Sequence, residues 1–114
     1  GSIIGTWTSA TVAAEWSYLE WPVSSADLEK LRGVRFIFTS GNHALEIEGV
    51  ELLENGKVIA RDQHAGLTGK TSHGNFYQLS LPKGIHANNG CSLRARVRSM
   101  GGKSSNGKLE LVKE

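Results

Sequence analysis

The feature that most constrains this chain is a run of short segments in which apolar and polar residues alternate, across residues 34–112. Turn residues separate them at intervals of roughly ten, the spacing of an all-β sandwich or barrel. In Val34–Thr39, Val34, Phe36 and Phe38 share a parity, which puts them on one face of a strand. Ser40-Gly41-Asn42-His43 reads as a turn. A long strand is predicted from Ala44 to Leu53. Leu45 and Ile47 take one parity and Val50 and Leu52 the other, with Gly49 at the slip, the pattern of a β-bulge. Glu54-Asn55-Gly56-Lys57 closes a hairpin, because a type I′ turn needs positive φ at both central residues. The return strand runs from Val58 to Arg61.

Residues 62–75 form the longest irregular stretch, and loops of that length in compact domains are often functional. Phe76–Leu81 is predicted as a strand stopped by Pro82. Cys91–Ser99 alternates cleanly, with Cys91, Leu93, Ala95 and Val97 inward and Arg94, Arg96 and Arg98 outward. Lys108–Val112 is the last strand. Near the start, Trp16–Trp21 reads as extended, and residues 25–31 as one helical turn capped by Ser24 or Ser25. About five or six strands without a long helical period predict an antiparallel β-sandwich, since parallel pairing needs crossovers that are missing.

The 114 residues make one domain, long enough for a core without metals or cross-links. With 39% hydrophobic and 21% charged residues the chain is globular rather than disordered. The formal charge of +2 is too small to argue for a nucleic-acid partner. No apolar run reaches the length of a membrane span. Cys91 is the only cysteine, so no internal disulfide forms, and it is expected to pack in the core. Gly1-Ser2 reads as a cloning scar, which leaves 3–114 as a single module excised from a larger protein.

Strict up-and-down threading gathers the loops at 40–43, 62–75 and 99–106 at one end of the sandwich. Asn42, His43, Asp62, His64, His73, Asn75, Lys103, Ser104 and Ser105 are therefore predicted to cluster as a polar site. Such a loop set on a rigid scaffold suits a hydroxyl-rich ligand such as a sugar. Asp62, His64 and Thr68 have the competing option of bonding only their own loop. Trp16 and Trp21 are candidate stacking platforms of opposite parity, so one is free to face inward and the other outward; Trp7 is expected in the core.

Other chemistries have less support. The three loop histidines with Asp62 match no compact zinc spacing. Structural calcium remains an option, but Asp62 is the only carboxylate in the three loops. No cofactor is expected. Glycoside hydrolysis needs facing carboxylates, whereas Glu46, Glu48 and Glu51 lie on one strand, and no nucleophile or phosphate motif stands out. The Arg94, Arg96, Arg98 stripe reads either as a track for an acidic polymer or as a solvated face paired with Glu46, Glu48 or Glu110.

The segment from Val34 to Gly69, with its Leu-Leu-Glu-Asn-Gly-Lys hairpin and the Arg61-Asp62-x-His64-x-Gly66-x-Thr68-Gly69 loop, resembles small β-sandwich modules. These are appended to secreted bacterial glycoside hydrolases of the hexosaminidase and fucosidase types. The later Asn75–Pro82 and Cys91–Val112 segments and the opening Gly5–Ser24 extend the resemblance over nearly the whole chain. It implies a jelly-roll, galactose-binding-like fold and a non-catalytic carbohydrate-binding role. It also implies a parent catalytic domain in cis and an extracellular, periplasmic or cell-surface location, with no nucleic-acid or membrane partner. Those modules carry Asp before Ser in the last loop, where this chain has Lys103-Ser104-Ser105. The alternative is a spacer that packs against a neighbouring domain without a ligand.

Overall fold

A computed structural model describes residues 2–71, 75–81 and 90–113. The elements are β1 (Ile3–Trp7), β2 (Ser17–Val23), α1 (Ser25–Lys30), β3 (Gly33–Gly41), β4 (Leu45–Glu54), β5 (Lys57–Asp62), β6 (Gly66–Thr68), β7 (Asn75–Gln78), β8 (Cys91–Ser99) and β9 (Ser105–Val112). They form two antiparallel sheets packed as a β-sandwich. One has the order β1-β9-β3-β7; the other has β2-β8-β4-β5, with β6 also paired to β4.

Alternation decides which side chains fill the space between the sheets. Every odd-numbered residue of β8 from Cys91 to Ser99 is buried, and every even-numbered one is partly exposed. Phe36 sits at the centre of an aromatic group, with Trp7, Trp21 and Tyr77 at ring-centroid distances of 6.0, 6.3 and 5.7 Å. The last two contacts are edge-to-face, the arrangement that ring quadrupoles favour. Cys91 lies inside as expected, and burial beside the Glu54 carboxylate pushes its thiol pKa up.

The bulge lies where the apolar parity changes. The register of β4 against β8 shifts between Ile47 and Gly49. That slip lets Leu45, Ile47, Val50 and Leu52 all point inward although their parity changes midway. Asn55 (φ 50°) and Gly56 (φ 79°) have the positive φ values of a type I′ hairpin turn. Ser24 is the cap of α1: its Oγ accepts from the Asp27 N–H at 3.1 Å.

Several strands differ from the sequence expectation. The last begins at Ser105, not Lys108, because β3 reaches Gly41 and supplies partners for Ser105 and Asn106. The strand expected at Phe76–Leu81 becomes Asn75–Gln78. In β2, Pro22 lies within the strand, which its edge position tolerates because no neighbour needs its missing N–H. The expected irregular stretch 62–75 contains β6, whose Gly66 to Thr68 pair with Ile47 to Leu45. Three residues bounded by a glycine carry no alternation to read; the open edge of β4 beyond β5 recruits them.

Candidate functional site

The register across the β2-β8-β4 sheet determines what its outer face presents, because paired residues share a face. Tyr18 lies opposite Arg96 and Glu20 opposite Arg94 on one side of β8. On the other, Arg98 faces Glu46, Arg96 faces Gly49 and Arg94 faces Glu51. Beyond β4, Glu46 pairs with Leu67 of β6, and Glu51 with Arg61 of β5. The outer face is therefore a set of rows that run across the strands. One row reads Trp16, Arg98, Glu46, Leu67. The next is Tyr18, Arg96 and Gly49 with the Gln63 side chain over it, and Glu48 reaches Arg96 from the bulge; the third is Glu20, Arg94, Glu51, Arg61.

Each row is held by short contacts. Arg98 Nε donates to Glu46 at 2.7 Å. Arg96 donates to both oxygens of Glu48 at 2.9 and 2.8 Å. Arg94 donates through Nε and a terminal nitrogen to one oxygen of Glu51 at 3.0 and 2.7 Å, and those bonds push its guanidinium further into the charged form. On the β2 side the same guanidiniums lie against aromatic rings. Arg98 and Arg96 stand 4.8 and 5.4 Å from the Trp16 ring centre, and Arg94 stands 4.8 Å from that of Tyr18. Cation–π contact on one side and a carboxylate on the other hold each planar guanidinium in place.

The bulge is what makes the glutamate column. Glu46 precedes the slip, Glu48 is the extra residue within it and Glu51 follows it, so residues of different parity all reach the outer face. The bulge also leaves a depression of about 60 Å³ lined by Tyr18, Glu48, Gly49, Glu51, Gln63 and Arg96. Next to it, Glu46, Ala65, Gly66, Leu67 and Met100 line an open hollow of about 340 Å³. Leu67 and Met100 are 46% and 43% exposed, so this end of the face is apolar.

The residues singled out in the sequence fall into separate places. Trp16 flanks the face just described. Trp21 does not: it is 8% exposed, its Nε1 donates to the Thr6 carbonyl at 2.8 Å, and its ring packs edge-on against Phe36. Its parity places it with the core, so it offers no stacking surface. Asn42, His43 and Lys103 do come together at one pole. There the Asn42 N–H donates to Ser104 Oγ at 3.3 Å and the His43 N–H to the Ser104 carbonyl at 2.8 Å.

Asp62 and His64 do not join that pole. Asp62 pairs with Val50, five residues along β4 from Leu45, or about 17 Å at the strand rise. The expected single cluster therefore divides, because β6 continues the sheet edge instead of looping freely. His73 lies outside the described residues. Asn75 is paired with Phe36 at the edge of the other sheet.

Asp62 and His64 serve as a clasp between the sheets. One carboxylate oxygen of Asp62 is 2.9 Å from His64 Nδ1, and the other accepts from the Gln78 N–H at 2.8 Å. The His64 ring stacks on Tyr77 at 4.0 Å, and the Tyr77 hydroxyl donates to the His64 carbonyl at 3.0 Å. Burial and the nearby Asp62 charge push the Tyr77 pKa up, which keeps that donor protonated. Asp62→Ala is expected to lower unfolding free energy by about 1–2 kcal/mol, the worth of charge-assisted bonds at a part-exposed site. Urea denaturation checks this, and an unchanged midpoint would refute the clasp.

Among the described residues, no group of three or more His, Cys, Asp or Glu is placed to hold a metal ion. Among the same residues, no helix is long and apolar enough to cross a membrane. No protein-family model matches the chain, and no curated protein matches it.

The sequence reading offered Glu46 and Glu48 as partners of the arginine stripe, and they are its partners in the structure; it did not place Glu51 or the rings of Trp16 and Tyr18 against the arginines. The available signal was Arg94, Arg96 and Arg98 at period two, together with Glu46, Glu48 and Glu51 spaced around the slip at Gly49.

Proposed function

We propose that this domain is a non-catalytic carbohydrate-binding module of the jelly-roll, galactose-binding-like type, and that it takes its glycan on the outer face of the β2-β8-β4 sheet. In cis, and outside or at the surface of the cell, it holds a glycan-degrading catalytic domain near its substrate by raising the local concentration. The jelly-roll reading draws support from the nesting of the strands: β1 lies beside the final strand β9, and β2 beside the penultimate β8, with β3 and β4 next inward in each sheet. Two Greek keys produce that nesting.

The observation that carries the functional reading is the row Trp16, Arg98, Glu46, Leu67 and its two neighbours. A pyranose offers an apolar C–H face and a rim of hydroxyls that both donate and accept. Aromatic rings suit the first. Guanidiniums, which only donate, beside carboxylates, which only accept, suit the second. Both are locked by their neighbours, so little side-chain freedom is lost on binding. Tyr18, 56% exposed, leaves most of its surface available for stacking.

Isothermal titration calorimetry with neutral mucin-type and plant oligosaccharides tests this. Trp16→Ala and Tyr18→Ala are each expected to weaken binding about tenfold or more, the loss typical of an aromatic anchor, with the circular dichroism spectrum retained. Failure of the unaltered protein to bind any member of the panel, or unchanged affinity in both variants, would sink the reading. A spacer role draws on the opposite sheet, where Ile3 and Phe76 are exposed on the row Ile3, Glu110, Arg35, Phe76. Absence of glycan binding, with loss of a neighbouring domain's stability when this one is removed, favours that role.

A further inference from the structure

The charge arrangement of the face bears on which glycans it accepts. Its arginines are each set against a carboxylate: Arg98 with Glu46, Arg96 with Glu48, Arg94 with Glu51 between Glu20 and Arg61. The formal charges of these rows cancel. The chain's +2 therefore resides elsewhere.

We infer that the face selects uncharged glycans and discriminates against sulfated, sialylated or uronic-acid ones; this inference rests on the glycan-binding reading. An anionic group that approaches Arg94, Arg96 or Arg98 meets a guanidinium whose charge is already neutralised by a glutamate bonded at 2.7–3.0 Å. That carboxylate is tethered to the adjacent strand β4, where it repels a second anion. On the far side of each guanidinium the approach is covered by Trp16 or Tyr18.

A hydroxyl meets no such competition. Glu48 is 48% exposed with Arg96 bound along one side, and a carboxylate has about four lone-pair sites. A sugar hydroxyl therefore donates to Glu48 without breaking its ion pair, and accepts from the neighbouring guanidinium. Two adjacent hydroxyls match one Glu–Arg pair, with no net charge to neutralise. The apolar hollow at Leu67 and Met100 continues the face toward the pole without adding charge.

The test compares matched pairs by calorimetry: N-acetyllactosamine against its sulfated and sialylated forms, and a galactan tetrasaccharide against the corresponding galacturonan. The neutral member is expected to bind about tenfold or more tightly, and its affinity to be nearly insensitive to added salt because no counterions are released. Glu48→Gln removes the carboxylate that shields Arg96 and keeps its shape. In that variant the acidic member is expected to gain affinity and the neutral one to lose it, so the ratio narrows or reverses. Acidic glycans bound as tightly as neutral ones by the unaltered protein, or a ratio unmoved by Glu48→Gln, would overturn the inference while leaving glycan binding in place. If neither member of any pair binds, the functional reading fails and the inference fails with it.

Discussion

Gly107→Ala is expected to cost about 3 kcal/mol or more, at or above the upper end of overpacking penalties. Gly107 sits in β9 with Trp7 of β1 on one side and Phe38 of β3 on the other. A Cβ there would enter the six-membered ring of Trp7 and crowd the Ile37 carbonyl oxygen. The indole has no room to withdraw: Trp7 is fully buried, its Nε1 donates to Ser105 Oγ at 2.9 Å, and its ring lies on Phe36. Relief requires β9 to move, and β9 is the strand between β1 and β3. A loss of that size is a large share of a small domain's stability and would lower Tm by roughly 10–20 °C. Thermal circular dichroism measures it; a Tm within a few degrees of the unaltered protein would show that the approach of strand and indole is less tight than described.

Phe36→Ala is expected to lower unfolding free energy by about 3–5 kcal/mol, the usual penalty for truncating a core aromatic. Phe36 is where both sheets meet. Trp7 and Tyr77 reach it from its own sheet and Trp21 from the facing one. Those rings are too large and too well held by their own hydrogen bonds to collapse into the vacated space. The Trp21 and Tyr77 contacts add an edge-to-face component beyond area burial. Urea denaturation is the check, and Phe36→Leu separates the two parts: it restores most of the volume but not the ring contacts. A Phe36→Leu variant as stable as the original would assign the whole effect to packing.

The site was less legible than the fold, and Trp16 and Trp21 show why. Both were candidates on residue type, and their opposite parity required that they part company. Which one faces outward depends on the register of β2 against β8: Trp21 pairs with buried Leu93, while the partly exposed Trp16 lies beside Arg98. Neither strand carries that information alone. The division of the expected loop cluster has the same origin. Regular threading correctly brings Asn42, His43 and Lys103 together, but it treats 62–75 as one connection, and β6 recaptures its middle for the open edge of β4.

By itself the sequence determined what depends on a few neighbouring residues. That includes the inward set along each strand, the turn at Asn55-Gly56, the slip at Gly49 and a serine cap at position 24 or 25. Each follows from side-chain period, backbone φ or a local hydrogen bond, and the chain has no cheaper way to satisfy them. The tertiary structure alone decided which strands lie side by side. The rows of aromatic, guanidinium and carboxylate groups, the burial of Trp21 and the clasp from Asp62 to Gln78 are all products of that choice. They join residues far apart in the chain, and their register is selected by closing both sheets over one core rather than by any single segment.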